Sequence, residues 1–180
     1  MTVPSGLEQR LADVRKAFDE VFATAPITTV PTFEDLLAIR IAGDPYALRV
    51  REITGLVVSR KLVPLPSRRP ELLGVVGNRG SLVVVYGLAA ILGYGADSKA
   101  TRWLALAGGA EPIGLAFGDF EGFVRVRSAD LHAASATLGV RPHAMEVVLV
   151  DNLLRPVVDI ASTLTTLGVP VGIATVPKES

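Results

Sequence analysis

From residue 33 to residue 160 no stretch is long enough, between its glycines, prolines and polar turns, to make a crossover helix. Short runs rich in Val, Leu and Ile follow one another instead. This constrains the fold more than any other feature. Parallel βαβ units need a connection of a dozen or more residues. Many short strands at close spacing, with turn residues between them, predict an all-β barrel or sandwich.

The runs can be read one by one. "FEDLLAIRIAG" predicts a strand ending at Gly43, with Asp44 and Pro45 as the turn. "YALRVREITGLVV" predicts the next strand or two. "KLVPLPSRRPELLG" reads as a crossover in which Pro64, Pro66 and Pro70 withhold the hydrogen bonds of helix and central strand. "GVVG" and "SLVVVYG" flank a turn at Asn78–Gly80, and "LAAILG" is one helical turn closed by Gly93. "RWLALA", "EPIGLAF" and "GFVRVR" give three more strands, with Gly108–Gly109 as a hairpin turn. "SADLHAASATLGVRPHA" is loop or mixed structure. "MEVVLVDN" and "LRPVVD" form a hairpin around Asp151–Asn152, and a last short helix spans about 159–167. The strands group into about 33–92 and about 101–160. The reading is two packed barrel subdomains, each too small to be very stable alone, followed by a tail at 171–180.

Residues 5–25 read as a helix that Pro26 ends. Ser5 and Glu8 make a capping box, and Leu7, Leu11, Val14, Phe18 and Val21 form an apolar stripe at helical spacing. Such a stripe serves packing on its own domain, docking on a partner, or self-association with a second copy. "PITTVPT" then links this helix to the β region, so residues 1–32 form a leading segment.

Composition narrows the function. The 180 residues are 49% apolar, and 18 basic residues balance 18 acidic ones. No net field draws nucleic acid or an anionic membrane. The charged N-terminus is unlike a signal peptide, and the apolar runs stop short of the roughly 20 residues of a membrane span. The absence of cysteine excludes disulfides, thiolate metal sites and a cysteine nucleophile, and fits a reducing cytoplasm. His132 and His143 are the only histidines, without metal-ligand spacing. No G-x-S-x-G elbow marks a nucleophile. "GYGADSK" fails the phosphate-loop spacing. Arg68 and Arg69 read as a solvated loop or as a contact to an acidic groove.

One stretch stands apart. In "GVVGNRGSLVVVYGL", residues 74–88, Arg79 is the only charge, on a glycine-cornered turn between two valine-rich strands. Either its guanidinium folds back and pins the turn, or it projects from a rigid corner toward a partner. Rigid placement lowers the ordering cost of binding.

The order of features from about Phe33 to Leu167 resembles the CheW-like chemotaxis coupling proteins. Val50, Glu52 and Ile53 hold that family's V-x-E-I step. Pro66, Pro70 and Gly74 hold its proline-rich crossover, and Arg79 and Gly80 its arginine-glycine corner. The sequence departs at Asn78, where leucine is usual, at Val84 for a common proline, and at Gly87 and Gly118 for aspartates. The resemblance implies two five-stranded SH3-like barrels and no catalysis, cofactor or metal. It implies a cytoplasmic adaptor joining the regulatory domain of a CheA-type histidine kinase to the cytoplasmic tip of a chemoreceptor. Arg79, Glu52, Val50, Gly80 and Asn78 become the expected protein-binding positions. The altered corner and the extra N-terminal helix also suit a divergent module that regulates or inhibits another kinase pathway outside the receptor array.

Overall fold

A computed structural model describes residues 31–58, 61–95, 101–134 and 141–169. The expected N-terminal helix and the tail at 171–180 lie outside the described residues. All elements below belong to the unit Thr32–Ser180.

The elements run β1 (Phe33–Ile41), β2 (Asp44–Arg49), a 3-10 turn (Val50–Glu52), β3 (Gly55–Val58), β4 (Leu72–Asn78), β5 (Ser81–Gly87) and α1 (Leu88–Ile91). They continue with β6 (Trp103–Ala107), β7 (Ile113–Phe117), β8 (Asp119–Arg127), a second 3-10 turn (Ser128–Asp130), β9 (His132–Ala133), β10 (Glu146–Val150), β11 (Leu153–Val158) and α2 (Ile160–Leu167). Two sheets result, ordered β8-β1-β2-β11-β10-β9 and β3-β6-β7-β5-β4. The fold is mainly β, as expected, but the first sheet has six strands because the two-residue β9 extends it.

The sheets are interleaved in sequence. The six-stranded sheet takes β1 and β2 from the first half and β8–β11 from the second, while β3–β7 make the other. They therefore do not divide at the expected break near residues 92–101. Two parallel pairings produce this: β11 joins β2, and β5 joins β7. Neither is a local hairpin, so neither shows in the spacing of strands along the chain.

Both sheets curl around their own side chains. In a flat sheet β8 and β10 would lie roughly 19 Å apart, four strand spacings. Val126 of β8 and Val148 and Val150 of β10 nevertheless share one buried cluster with Leu36, Ala47 and Val157. The five-stranded sheet encloses Val76, Val83, Val85, Leu104, Leu106 and Ala116. The opposite faces of the central strands meet in a third core. There Leu37, Ile39 and Leu48 pack with Leu115, Phe117, Leu88 and Leu164. Strands buried on both faces show no apolar/polar alternation, which is why "DLLAIRI" and "WLALA" read as continuous apolar runs.

Turn chemistry sets the corners. Ala42 and Gly43 take left-handed φ of 52° and 93°, so the first hairpin turns there. Asp44 and Pro45 are already the first residues of β2, not the expected turn. Asp151 and Asn152, with φ of 50° and 58°, make the β10–β11 turn as expected. Helix α2 buries Ile160, Thr163, Leu164 and Leu167, a stripe at i, i+3, i+4 and i+7. Asp159 caps it by accepting from Ser162 N–H at 2.9 Å, and Gly168 ends it at φ 75°.

Candidate functional site: an arginine corner between two grooves

The β4–β5 hairpin closes with Asn78 opposite Ser81, leaving Arg79 and Gly80 as a two-residue turn with φ of 49° and 83°. Positive φ at both central residues is the requirement of a type I′ turn, where asparagine or glycine is the usual first residue. Gly80 fits at no steric cost. Arg79 carries a Cβ into the left-handed region, a strain of roughly 1–2 kcal/mol.

This strained arginine is exposed, and among the described residues it makes no hydrogen bond and no ion pair. Of the two alternatives left by the sequence, the guanidinium therefore projects rather than pinning its own turn. It stands where two grooves meet. The larger, about 1060 Å³, is walled by Leu82, Val84 and Tyr86 of β5, Pro112 and Ile113 before and in β7, and Val169 after α2. The smaller, about 500 Å³, is lined by Val57 and Val58 of β3, Val76 and Gly77 of β4, and Leu104. Asn78, half-buried, lines both.

Val50 and Glu52 line neither groove. They sit on the 3-10 turn after β2, where Glu52 has internal partners. Its Oε2 accepts from the Ile160 backbone N–H at 3.2 Å, satisfying one of the free donors at the start of α2. Its Oε1 lies 3.6 Å from Arg49 Nη1. Arg49 is buried and also pairs with Glu146 and, at 3.9 Å, with Glu34. Burial pushes the Glu52 carboxyl above the ordinary range, against the Ile160 N–H and Arg49, which favour its ionised form; neighbouring Asp159 adds to the rise.

The structure thus brings Asn78, Arg79 and Gly80 together and puts Val50 and Glu52 in a separate charged node. It adds groove residues the sequence reading missed. Leu82 is the most exposed large apolar side chain described, at 78%. Its position was encoded by parity, since Val83 and Val85 point into the sheet core, but the run of three valines hides the alternation. Arg69, read as a loop residue or a partner contact, places Nη1 3.5 Å from the Leu167 carbonyl at the end of α2, where a cation is favourable.

A family model described as CheW-like domain matches residues 35–167. The chain belongs to the CheW-like domain family. Membership places it among the scaffold and adaptor proteins of chemotaxis-type signalling. The CheW-like fold is shared with the crystal structure of the scaffolding protein TtCheW from Thermoanaerobacter tengcongensis, at a TM-score of 0.62 and 13% identity, over 75% of this chain and 90% of that one. At that identity the likeness speaks for the fold. Among curated proteins no relative matches. Among the described residues no helix is long and apolar enough to cross a membrane.

Proposed function

We propose that this CheW-like protein is a non-catalytic cytoplasmic adaptor that couples a chemoreceptor to a CheA-type histidine kinase. In this reading the Arg79 corner and the larger groove face the receptor's helical tip. The carrying observation is the strain at Arg79. A non-glycine residue held at φ 49°, exposed and without a partner among the described residues, gives the fold nothing in return. Strain of this kind gathers at recognition sites. An amphipathic helix meeting an apolar groove through Leu82, Val84 and Ile113, with a carboxylate reaching Arg79, is a chemically complete contact. Asn78 and Gly80 shape the turn. Glu52 acts from behind by holding the β2–β3 connection against α2 through the Ile160 N–H, and the Val50 carbonyl closes that connection by accepting from Ile53 N–H at 3.2 Å.

The test is binding of the purified protein to a kinase regulatory domain and, separately, to a receptor-tip fragment. Both should bind. Arg79→Ala should weaken the receptor contact about tenfold, which is 1.4 kcal/mol, and leave kinase binding and thermal melting unchanged. Failure of the folded protein to bind either partner would overturn the proposal.

A further inference from the structure

Among the described residues the two sheets have four edges, and three carry devices that keep strands from pairing with foreign chains. β8 is bulged: Gly122 faces Ala38 and Phe120 faces Ile39, so Glu121 is the extra residue. β9 is only two residues long. β4 is covered where Val63 and Val75 exchange two backbone hydrogen bonds of 2.9 Å.

β3 carries none of these. Gly55–Val58 reads "GLVV", without charge, proline or bulge. It pairs with β6 on one side, and among the described residues no other element bonds its second side. Val58 is 59% exposed. The 500 Å³ groove lies against this edge and reaches across to the end of β4. On the far wall stands Gly77. Its φ is outside the left-handed region, and a Cβ added there would meet nothing within 4 Å. Neither backbone conformation nor packing requires a glycine at this point, and bare main chain in a strand permits close approach by another backbone.

We infer that β3 and the facing end of β4 receive an extended segment of a partner protein by strand addition. Each part of the site specifies part of the ligand. An open edge offers hydrogen bonds to an extended main chain, whereas a helix has already satisfied its own. Exposed Val58 and half-buried Val57, over a floor closed by buried Val76 and Leu104, meet apolar side chains of the segment. Arg79 at the rim takes a carboxylate at the end of the segment. The strand edge is separate from the proposed function, since a helical partner in the larger groove needs no edge, but the two sites share Asn78 and Arg79, so the two ligands would compete for the same guanidinium.

The experiment uses the full, isotopically labelled chain and two probes, acetyl-Thr-Val-Thr-Val-Asp-amide and its lysine-ended counterpart. Hydrogen exchange is read first without peptide, then with it, alongside amide chemical shifts. The outward amides of Gly55–Val58 should exchange fast in the free protein. The aspartate peptide should slow them and shift Gly77 and Asn78, and the lysine peptide should bind at least about tenfold more weakly. Val58→Lys should abolish binding with unchanged melting, because the side chain is exposed. Protection of β3 without peptide would show that the chain covers its own edge. Protection rising with protein concentration would assign the edge to a second copy. Either result, or no shift at these residues in millimolar peptide, would overturn the inference.

Discussion

Glu121 joins two arginines that the chain places 115 residues apart: Oε2 accepts from Arg155 Nη2 and Oε1 from Arg40 Nε, each at 2.6 Å. Arg155 shares the inner face of β11 with Val157, and its side chain is only 4% exposed. The β8 bulge leaves Glu121 outside the pairing with β1, and its carboxylate reaches both this guanidinium and Arg40. The same bulge thus guards an edge and neutralises a buried charge. Glu121→Ala should cost about 3 kcal/mol, the low end for breaking a buried pair because Glu121 lies at the rim. Urea unfolding at neutral pH checks this, and a loss under about 1 kcal/mol would mean that water satisfies Arg155 instead.

The same carboxylate sets a pH dependence. Partial burial pushes the Glu121 pKa up, but the hydrogen bonds from Arg155 and Arg40 outweigh it and hold the group below its ordinary value. The unfolded chain therefore takes up a proton first as pH falls. Stability from this group is complete above the unfolded pKa of about 4.3 and is lost as pH falls through the lower folded value. Glu52 runs the other way. Its pKa is raised in the fold, so its ionisation subtracts stability as pH rises from about 4.3 through the raised value. Unfolding measured from pH 3 to pH 7 should show a shallower low-pH slope in Glu121→Gln, with Asp130, also held below its ordinary value by Arg127, keeping part of it, whereas Glu52→Gln should steepen the net gain of stability with pH.

Glu52 also separates charge from hydrogen bonding. Glu52→Gln keeps an acceptor for the Ile160 N–H, while Glu52→Ala leaves that donor at the start of α2 without one. The alanine variant should be less stable than the glutamine variant by about 1 kcal/mol, the usual worth of a helix cap. Paired thermal melts decide it. Equal melting would mean that the Asp159 cap suffices for α2.

Some of this was legible in the sequence and some was not, for physical reasons. Turn positions are local: Gly80, Gly93 and Asp151–Asn152 stand where residue chemistry puts them. Strand order is not local. Nothing in "LRPVVD" says that β11 will lie parallel to β2, so grouping strands by position split the chain in the wrong place. The charged node around Arg49 was hidden for the same reason, since Glu34, Glu52 and Glu146 converge only after the sheet curls. The corner could be located from sequence, but whether Arg79 folds back or projects depends on what stands within reach.

Gly74 tests the proline-rich crossover. It lies beside the β4 irregularity with φ 148°, and a Cβ there would run into the Val63 carbonyl oxygen and stand 2.8 Å from Pro64 Cα. Both obstacles are backbone, held by the paired bonds between Val63 and Val75. Gly74→Ala should therefore cost at least about 3 kcal/mol, in the tail of single substitutions. Gly77→Ala, three residues on with open space around its Cβ, should change stability by less than about 1 kcal/mol. Comparable losses for the two variants in denaturant unfolding would remove the argument for close approach at Gly74.

The Arg79 corner makes a prediction whose two halves have opposite signs. Arg79→Asn puts Asn-Gly at the centre of the turn, the preferred type I′ pair. It relieves a left-handed Cβ strain of roughly 1–2 kcal/mol, because asparagine visits this region more readily. The fold should gain about 1 kcal/mol and the melting temperature should rise. The variant also lacks the guanidinium, so binding to the receptor-tip fragment should fall even as the protein becomes more stable. Arg79→Lys keeps a charge but neither relieves the turn nor offers a planar fork, so it should show wild-type stability with intermediate binding. A residue that merely pinned the hairpin would lose stability and binding together. If Arg79→Asn lowers the melting temperature, Arg79 serves the turn and the projecting assignment fails.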